Sequence, residues 1–128
     1  MYKRQIQEFG SSGVAIQGVT YTASIESNIL MGSQGGPVMA QLAQKAKSNC
    51  PNTKIFISGY SQGGEVCHYA MKSAGLSASD VAGAVIYGDP LDGQSVGSLP
   101  SSQLKEFCGK ASCVLPICEN RLTDVLLL

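Results

Sequence analysis

The chain has 128 residues, 44% apolar and only 14% charged, with nine basic residues against nine acidic ones. That length supports one domain with a modest core, and the balanced charge excludes an electrostatic partnership with nucleic acid or anionic lipid. No run approaches the roughly 20 apolar residues that span a bilayer, and Gln5, Gln7 and Glu8 follow Lys3-Arg4 where an export signal needs an apolar centre, so the chain as written carries no such signal.

Residues 1–12 are polar, contain Gly10-Ser11-Ser12 and read as a leader or loop. Val14-Ala15-Ile16, bounded by Gly13 and Gly18, reads as a short buried strand. Thr20 to Gly36 is rich in Ser, Asn and Gly and reads as loop, with Ile29-Leu30-Met31 expected to pack beneath it. Pro37 suits the first turn of a helix, where its missing N–H costs nothing. Met39, Leu42, Ala43 and Ala46 then recur at helical spacing as one apolar stripe. Asn49-Cys50-Pro51-Asn52 ends that helix, and Lys54 opens an apolar strand.

A second helix follows Ser61, with Val66, Tyr69, Ala70 and Ser73 on one face and Gly75 as its stop. Val81 to Tyr87 is a continuous apolar run of strand length, ended by Gly88-Asp89-Pro90. Leu104 to Cys108 reads as one more short strand. Continuous apolar strands alternating with helices predict a parallel sheet covered on both faces: an α/β, three-layer αβα sandwich. The tail from Gly109 has no clear period and ends in Val125-Leu126-Leu127-Leu128.

The chemistry is concentrated at Ile55-Phe56-Ile57-Ser58-Gly59-Tyr60-Ser61-Gln62-Gly63-Gly64. A β-prone run there ends in Gly-x-Ser-x-Gly and passes directly into a helix, the context a nucleophile elbow requires. Gly59 and Gly63 leave room where a Cβ would collide with the opposite limb of the turn. Ser61 is the candidate nucleophile, and the Gln62 backbone N–H, at the helix N-terminus, is the candidate oxyanion donor.

Several blocks in order resemble the cutinase family of small secreted fungal serine esterases. They are Val14-Ala-Ile-Gln-Gly-Val19, Gly35-Gly-Pro37, Cys50-Pro51, Gly59-Tyr-Ser-Gln-Gly63, Gly88-Asp-Pro90 and Glu106-Phe-Cys-Gly109, together spanning about three quarters of the chain. The resemblance implies a lidless α/β-hydrolase that cleaves carboxylic esters through an acyl-enzyme, on cutin-like polyesters, short-chain esters or acetylated polysaccharide. It implies a secreted monomer with an ester substrate, no cofactor and no nucleic-acid or membrane partner. It makes Ser61 the nucleophile, Gln62 an oxyanion donor, Cys108 the first cysteine of a disulfide beside the acidic loop, and Cys50 half of a bridge to an N-terminal cysteine. Cys108 then closes onto Cys113 or Cys118, a choice the sequence leaves open. The organisation reads as a leader at 1–12, a cutinase-like core at 13–109 and a divergent tail at 110–128.

The departures from that pattern are specific. In this hydrolase class the triad runs nucleophile, acid, base along the chain. The loop from Cys108 to Cys118 contains no Asp or Glu, and no histidine follows it, so neither triad acid nor triad base is identifiable. The sole histidine, His68, lies seven residues past Ser61 on the same helix. That is ~10 Å along the axis, out of hydrogen-bond reach, and His68 reads as a helix-surface or partly packed residue. Asp89 and Asp92 read as turn carboxylates bonded to backbone. Residues 1–12 supply neither the central strand nor the second oxyanion loop of the family, so a gap is expected between the strand at 14–17 and that at 55–59. Measured against the family, the chain reads as truncated at both ends, and as weakly active or inactive.

Of the five cysteines, whose odd number leaves one unpaired and whose density favours an oxidising compartment, Cys67 reads as a small buried residue. The three clustered after residue 107 lack the spacing with histidine that zinc favours, and no metal site is expected. Three readings therefore stand: an active serine esterase, a catalytically dead binding protein of the same fold, or a fragment from an incomplete gene model.

Overall fold

Ile55 through Tyr60 alternates buried and exposed positions, the signature of a strand inside a sheet, and the rest of the fold is arranged around it. The computed structural model describes residues 13–24, 29–108 and, as a backbone strand, 126–127. In chain order the elements are β1 (Gln17–Gly18), α1 (Gly35–Asn49), β2 (Phe56–Tyr60), α2 (Gln62–Lys72), β3 (Gly83–Tyr87), a 3₁₀ turn (Ser101–Gln103), β4 (Leu104–Phe107) and β5 (Leu126–Leu127). They form one sheet in the order β1-β5-β2-β3-β4. β2, β3 and β4 are parallel, with Ser58 opposite Val85 and Val85 opposite Lys105. β5 is antiparallel to both β1 and β2. A parallel pair needs a long crossover, and α2 supplies it between β2 and β3.

Both helices bury apolar stripes in one core. Met39, Ala40 and Ala43 of α1 are fully buried, with Leu42 and Ala46 packed against them. α2 contributes Val66, Cys67, Ala70 and Met71. These meet Ile57, Ala84 and Ile86, which alternate onto one face of the sheet. Each large apolar side chain so buried contributes about 1.5–3 kcal/mol. Phe56, Ser58, Tyr60, Val85, Tyr87 and Phe107, on the other alternation, stay half-buried or exposed. Tyr87 and Phe107 stack there at 5.1 Å.

The helix boundaries follow their signals. Pro37 sits in the first turn of α1, and the Cys50 N–H closes its end on Ala46 O at 2.9 Å. α2 ends with the Ser73 and Ala74 N–H groups both donating to Tyr69 O, and Gly75 takes φ +81° to turn the chain away.

Three expectations are corrected. Val14-Ala15-Ile16 is not a strand: pairing begins at Gln17, and Ala15 is exposed. Ile29, Leu30 and Met31 do not pack beneath their loop but are 81%, 46% and 51% exposed, because the loop is anchored instead through Gly32 against the Glu65 backbone. The sheet has no gap between β1 and β2, since Leu126–Leu127 from the tail occupies that position and pairs on both sides.

Candidate active site

The hydrogen bonding of β2 to β3 does not stop with β2. The Ser61 N–H donates to Tyr87 O at 2.9 Å, so the serine is fastened to the end of β3. Immediately afterwards the Gly64 N–H donates to Ser61 O at 2.8 Å and α2 begins. To turn from strand to helix in one residue, Ser61 takes φ +52° and ψ −116°, a region an L-residue occupies only under strain. Ser61 is exposed, at the carboxyl ends of parallel strands where α/β sheets place ligands. The turn is tight enough that a Cβ on Gly59 would lie 2.2 Å from Gly63 O. Gln62 opens α2, which puts its backbone N–H at the helix N-terminus, and its side-chain Nε2 donates to Ser24 O at 3.2 Å. That side-chain tie to the preceding loop has no sequence signal.

Beneath the elbow the structure gathers polar groups that sequence reasoning kept apart. Asp89 follows β3 and is fully buried. Its Oδ1 accepts from the Leu91 N–H at 2.9 Å, the backbone role expected of it, but its Oδ2 accepts from His68 Nε2–H at 2.8 Å. His68 is therefore not a helix-surface residue. It is 2% exposed, one helical turn past Gly64, and faces the sheet. Asp92 remains at the exposed turn. Glu106, on β4, brings a carboxylate oxygen within 4.8 Å of Asp89 and His68 and leaves Oε1 buried without a partner. Glu65, on α2, is buried with Oε2 unpartnered.

The electrostatics of the four groups are linked. Burial pushes Asp89 up, but the hydrogen bonds from His68 and Leu91, with the pull of His68, outweigh it and hold the carboxyl below 3.8. Burial and then the neighbouring Asp89 carboxylate push Glu106 above 4.5. Burial, then Asp89, raises Glu65 as well. Burial pushes the Cys67 thiol up, in keeping with its reading as a small core residue. Atoms of His68, Asp89 and Glu106 lie within 4.8 Å of one another, a donor set that suits a divalent cation and that cysteine spacing does not reveal.

Among the described residues Ser61 has no histidine partner, because the chain's one histidine is bonded to Asp89. Cys108 is disulfide-bonded, and the partner expected for it, Cys113 or Cys118, lies outside the described residues. The acid-free loop between them lies there too. Cys50 is a free, exposed thiol and Cys67 a free, buried one, so the bridge implied for Cys50 is not formed.

A serine on a strained strand-to-helix elbow, above parallel strands linked by a helix, defines the α/β-hydrolase class. The cutinase family model matches residues 1–125, and the chain belongs to the cutinase family. Cutinase 4 of Emericella nidulans is 43% identical over 106 residues, 83% of this chain and 44% of that protein. A Monilinia fructicola cutinase is 42% identical over 78% of this chain and 50% of its own length. Among solved structures, Trichoderma reesei cutinase in complex with a C11Y4 phosphonate inhibitor superposes with a TM-score of 0.69 at 32% identity, covering 76% of this chain and 46% of that one. The chain thus spans about half the length of the curated relatives it matches. No helix among the described residues is long and apolar enough to cross a membrane.

Proposed function

We propose that this protein is a carboxylic-ester hydrolase of cutinase type, with Ser61 as nucleophile and the Gln62 backbone N–H as one oxyanion donor. The observation that carries the reading is the backbone of Ser61: φ +52° in a non-glycine residue, at the mouth of a parallel sheet, is strain kept at a reactive position. The substrate class is a cutin-like polyester or a short-chain ester, and the enzyme acts as a secreted monomer without cofactor. The core at 13–109 carries this chemistry, between the leader at 1–12 and the divergent tail at 110–128, whose Leu126–Leu127 pairs into the sheet.

A second reading has its own support. With His68 bonded to Asp89 and no carboxylate between Cys108 and Cys118, nothing identified activates Ser61, which favours a binding protein of the same fold or an incomplete product over a full enzyme. Residual catalysis without a triad rests on binding and oxyanion contacts alone, orders of magnitude below an intact triad. Turnover of a short-chain aryl ester by the full chain, against Ser61→Ala, tests the proposal. A low rate abolished by Ser61→Ala supports it, and equal rates for the two proteins overturn it. A covalent adduct of an alkyl phosphonate on Ser61 gives the same answer without turnover.

A further inference from the structure

Three buried side-chain atoms among the described residues have no hydrogen-bond partner, Glu65 Oε2, His68 Nδ1 and Glu106 Oε1, and they gather around Asp89. A Cβ on Gly64 would lie 2.9 Å from Asp89 Oδ1, so α2 rests on that carboxylate, and His68 bonds it from one turn further along. Glu106 is opposite Ile86 in the β3–β4 register, which places it on the sheet face that α2 covers. Glu65 lies one turn before His68, near enough for the charges of Asp89 and His68 to act on it. It is 6% exposed, against 2% for His68 and 0% for Asp89. Three carboxyl groups thus surround one imidazole, and among the described residues their one ion pair is His68–Asp89 at 2.8 Å. Lys105, the basic neighbour of Glu106, sits on the other alternation of β4 and is exposed. Orphaned polar atoms and buried negative charge are both costly unless a positive charge sits among them.

We propose that His68, Asp89 and Glu106 form a binding site for one divalent transition-metal cation of the zinc class. One donor atom from each of the three lies within 4.8 Å of the other two. Donors on a tetrahedral zinc stand about 3.3 Å apart, so movements of about 1 Å close the set around an ion. One imidazole with two carboxylates selects zinc and its neighbours over calcium and magnesium, which take oxygen alone. Asp89 Oδ2 accepts from His68 Nε2–H, so in the neutral ring Nδ1 is the bare nitrogen, buried and without a donor. Coordination through Nε2 moves that proton to Nδ1, which then donates to Glu65 Oε2 one helical turn away, while Glu106 Oε1 becomes a ligand. All three orphaned atoms are thereby partnered, and the charge of the ion balances those of Asp89 and Glu106. Glu106 is half-buried on the edge strand β4, which gives the ion its way in and leaves a fourth position to water. The site uses none of the cysteines and no group assigned to ester cleavage. Its role is to pin α2, which follows Ser61 directly, to the end of β3 and to β4.

The test uses the full chain after chelator treatment, with Zn²⁺ as the probe and nitrogen NMR of the imidazole as the readout. His68 is the chain's one histidine, so its ring signals need no assignment by mutation. The expected result at one equivalent of zinc is a change from the Nε2–H to the Nδ1–H tautomer, with Nε2 shifted by the metal, whereas Ca²⁺ and Mg²⁺ leave the ring unmoved. Ring signals unmoved by equimolar zinc, or zinc at Nδ1 with Nε2 still bonded to Asp89, overturn the inference, and neither result needs a variant to fold. Co²⁺ in place of zinc should give a weak visible band without the intense near-ultraviolet band of a thiolate ligand. A thiolate band puts the ion on cysteine and sinks the site. Glu106→Gln keeps the side chain's shape but not its charge, and should weaken zinc binding about tenfold or more by calorimetry. Equal affinities for Glu106→Gln and the unmodified chain remove Glu106 from the site and overturn the proposal. Because no readout depends on ester turnover, failure of the esterase reading leaves this result interpretable.

Discussion

The strain at Ser61 predicts that glycine is the better residue for stability and the worst for function. At φ +52° and ψ −116° a side chain costs about 1–3 kcal/mol, because the Cβ crowds the backbone. Glycine removes that cost but adds about 0.5–1 kcal/mol of unfolded-chain entropy. The net expectation is that Ser61→Gly is about 1 kcal/mol more stable than Ser61→Ala, which keeps the Cβ and so keeps the strain. Ser61 is exposed and its hydroxyl holds no part of the core together, so Ser61→Ala itself should stay within about 0.5 kcal/mol of the unmodified chain. Urea unfolding followed by far-UV circular dichroism at a shared slope measures the difference, and in a thermal melt it corresponds to about 4 °C. Both variants lose any Ser61-dependent ester cleavage. A Ser61→Gly protein no more stable than Ser61→Ala would show that the elbow is not strained, and the observation behind the functional reading would fall with it.

Gly59→Ala should cost about 3 kcal/mol, because its Cβ would meet backbone at Gly63 O that cannot swing aside. Gly75→Ala, with nothing within 4 Å and only φ +81° to oppose it, should cost about 1 kcal/mol, so comparable midpoints in denaturant would refute the steric argument. Stability should peak in mildly acidic solution. Glu106 and Glu65 have folded-state values raised above 4.5, so their contribution is present below that value and lost as pH rises through the folded one. Asp89 is held below 3.8, so its contribution is present above 3.8 and lost as pH falls through the folded value. Melts from pH 3 to 9 check this, and a flat profile would contradict it. Native-state alkylation read by peptide mass spectrometry should label Cys50 promptly and Cys67 only in denaturant, since one thiol is exposed and the other buried with its ionisation suppressed.

The parallel core was legible because its signals are local. The apolar runs at 55–60 and 81–87, the helical stripe of Met39, Ala43 and Ala46, and the strand–Ser–helix passage at Ser61 each depend on residues a few positions apart. What was not legible depends on residues brought together from separate elements. His68 carries no sign in its own helix that Asp89 will come to lie beneath it, and Glu106 was visible only as part of a block resembling the family. Amphipathic spacing gave a correct face for Val66 and Ala70 but placed Ser73 on the same face, where it is exposed beyond the last turn. Ile29-Leu30-Met31 misled for a simpler reason. Apolar character does not guarantee burial in a loop whose path is set by one glycine pressed against a neighbouring helix.

The insertion of β5 between β1 and β2 bears on the order in which the chain assembles. β2, α2 and β3 are contiguous in sequence and can close early as one unit, with β4 added after a short excursion. The pairing of Gln17 with Leu127 joins almost the whole length of the chain, so its loop-closure entropy is the largest in the fold and only two residues on each side offset it. Until that closure happens, β2 presents an open row of N–H and C=O groups on the side away from β3. During synthesis and refolding this edge is a template for another molecule's strand, so the fraction of chain recovered as soluble protein should fall steeply with concentration even where the finished fold is stable.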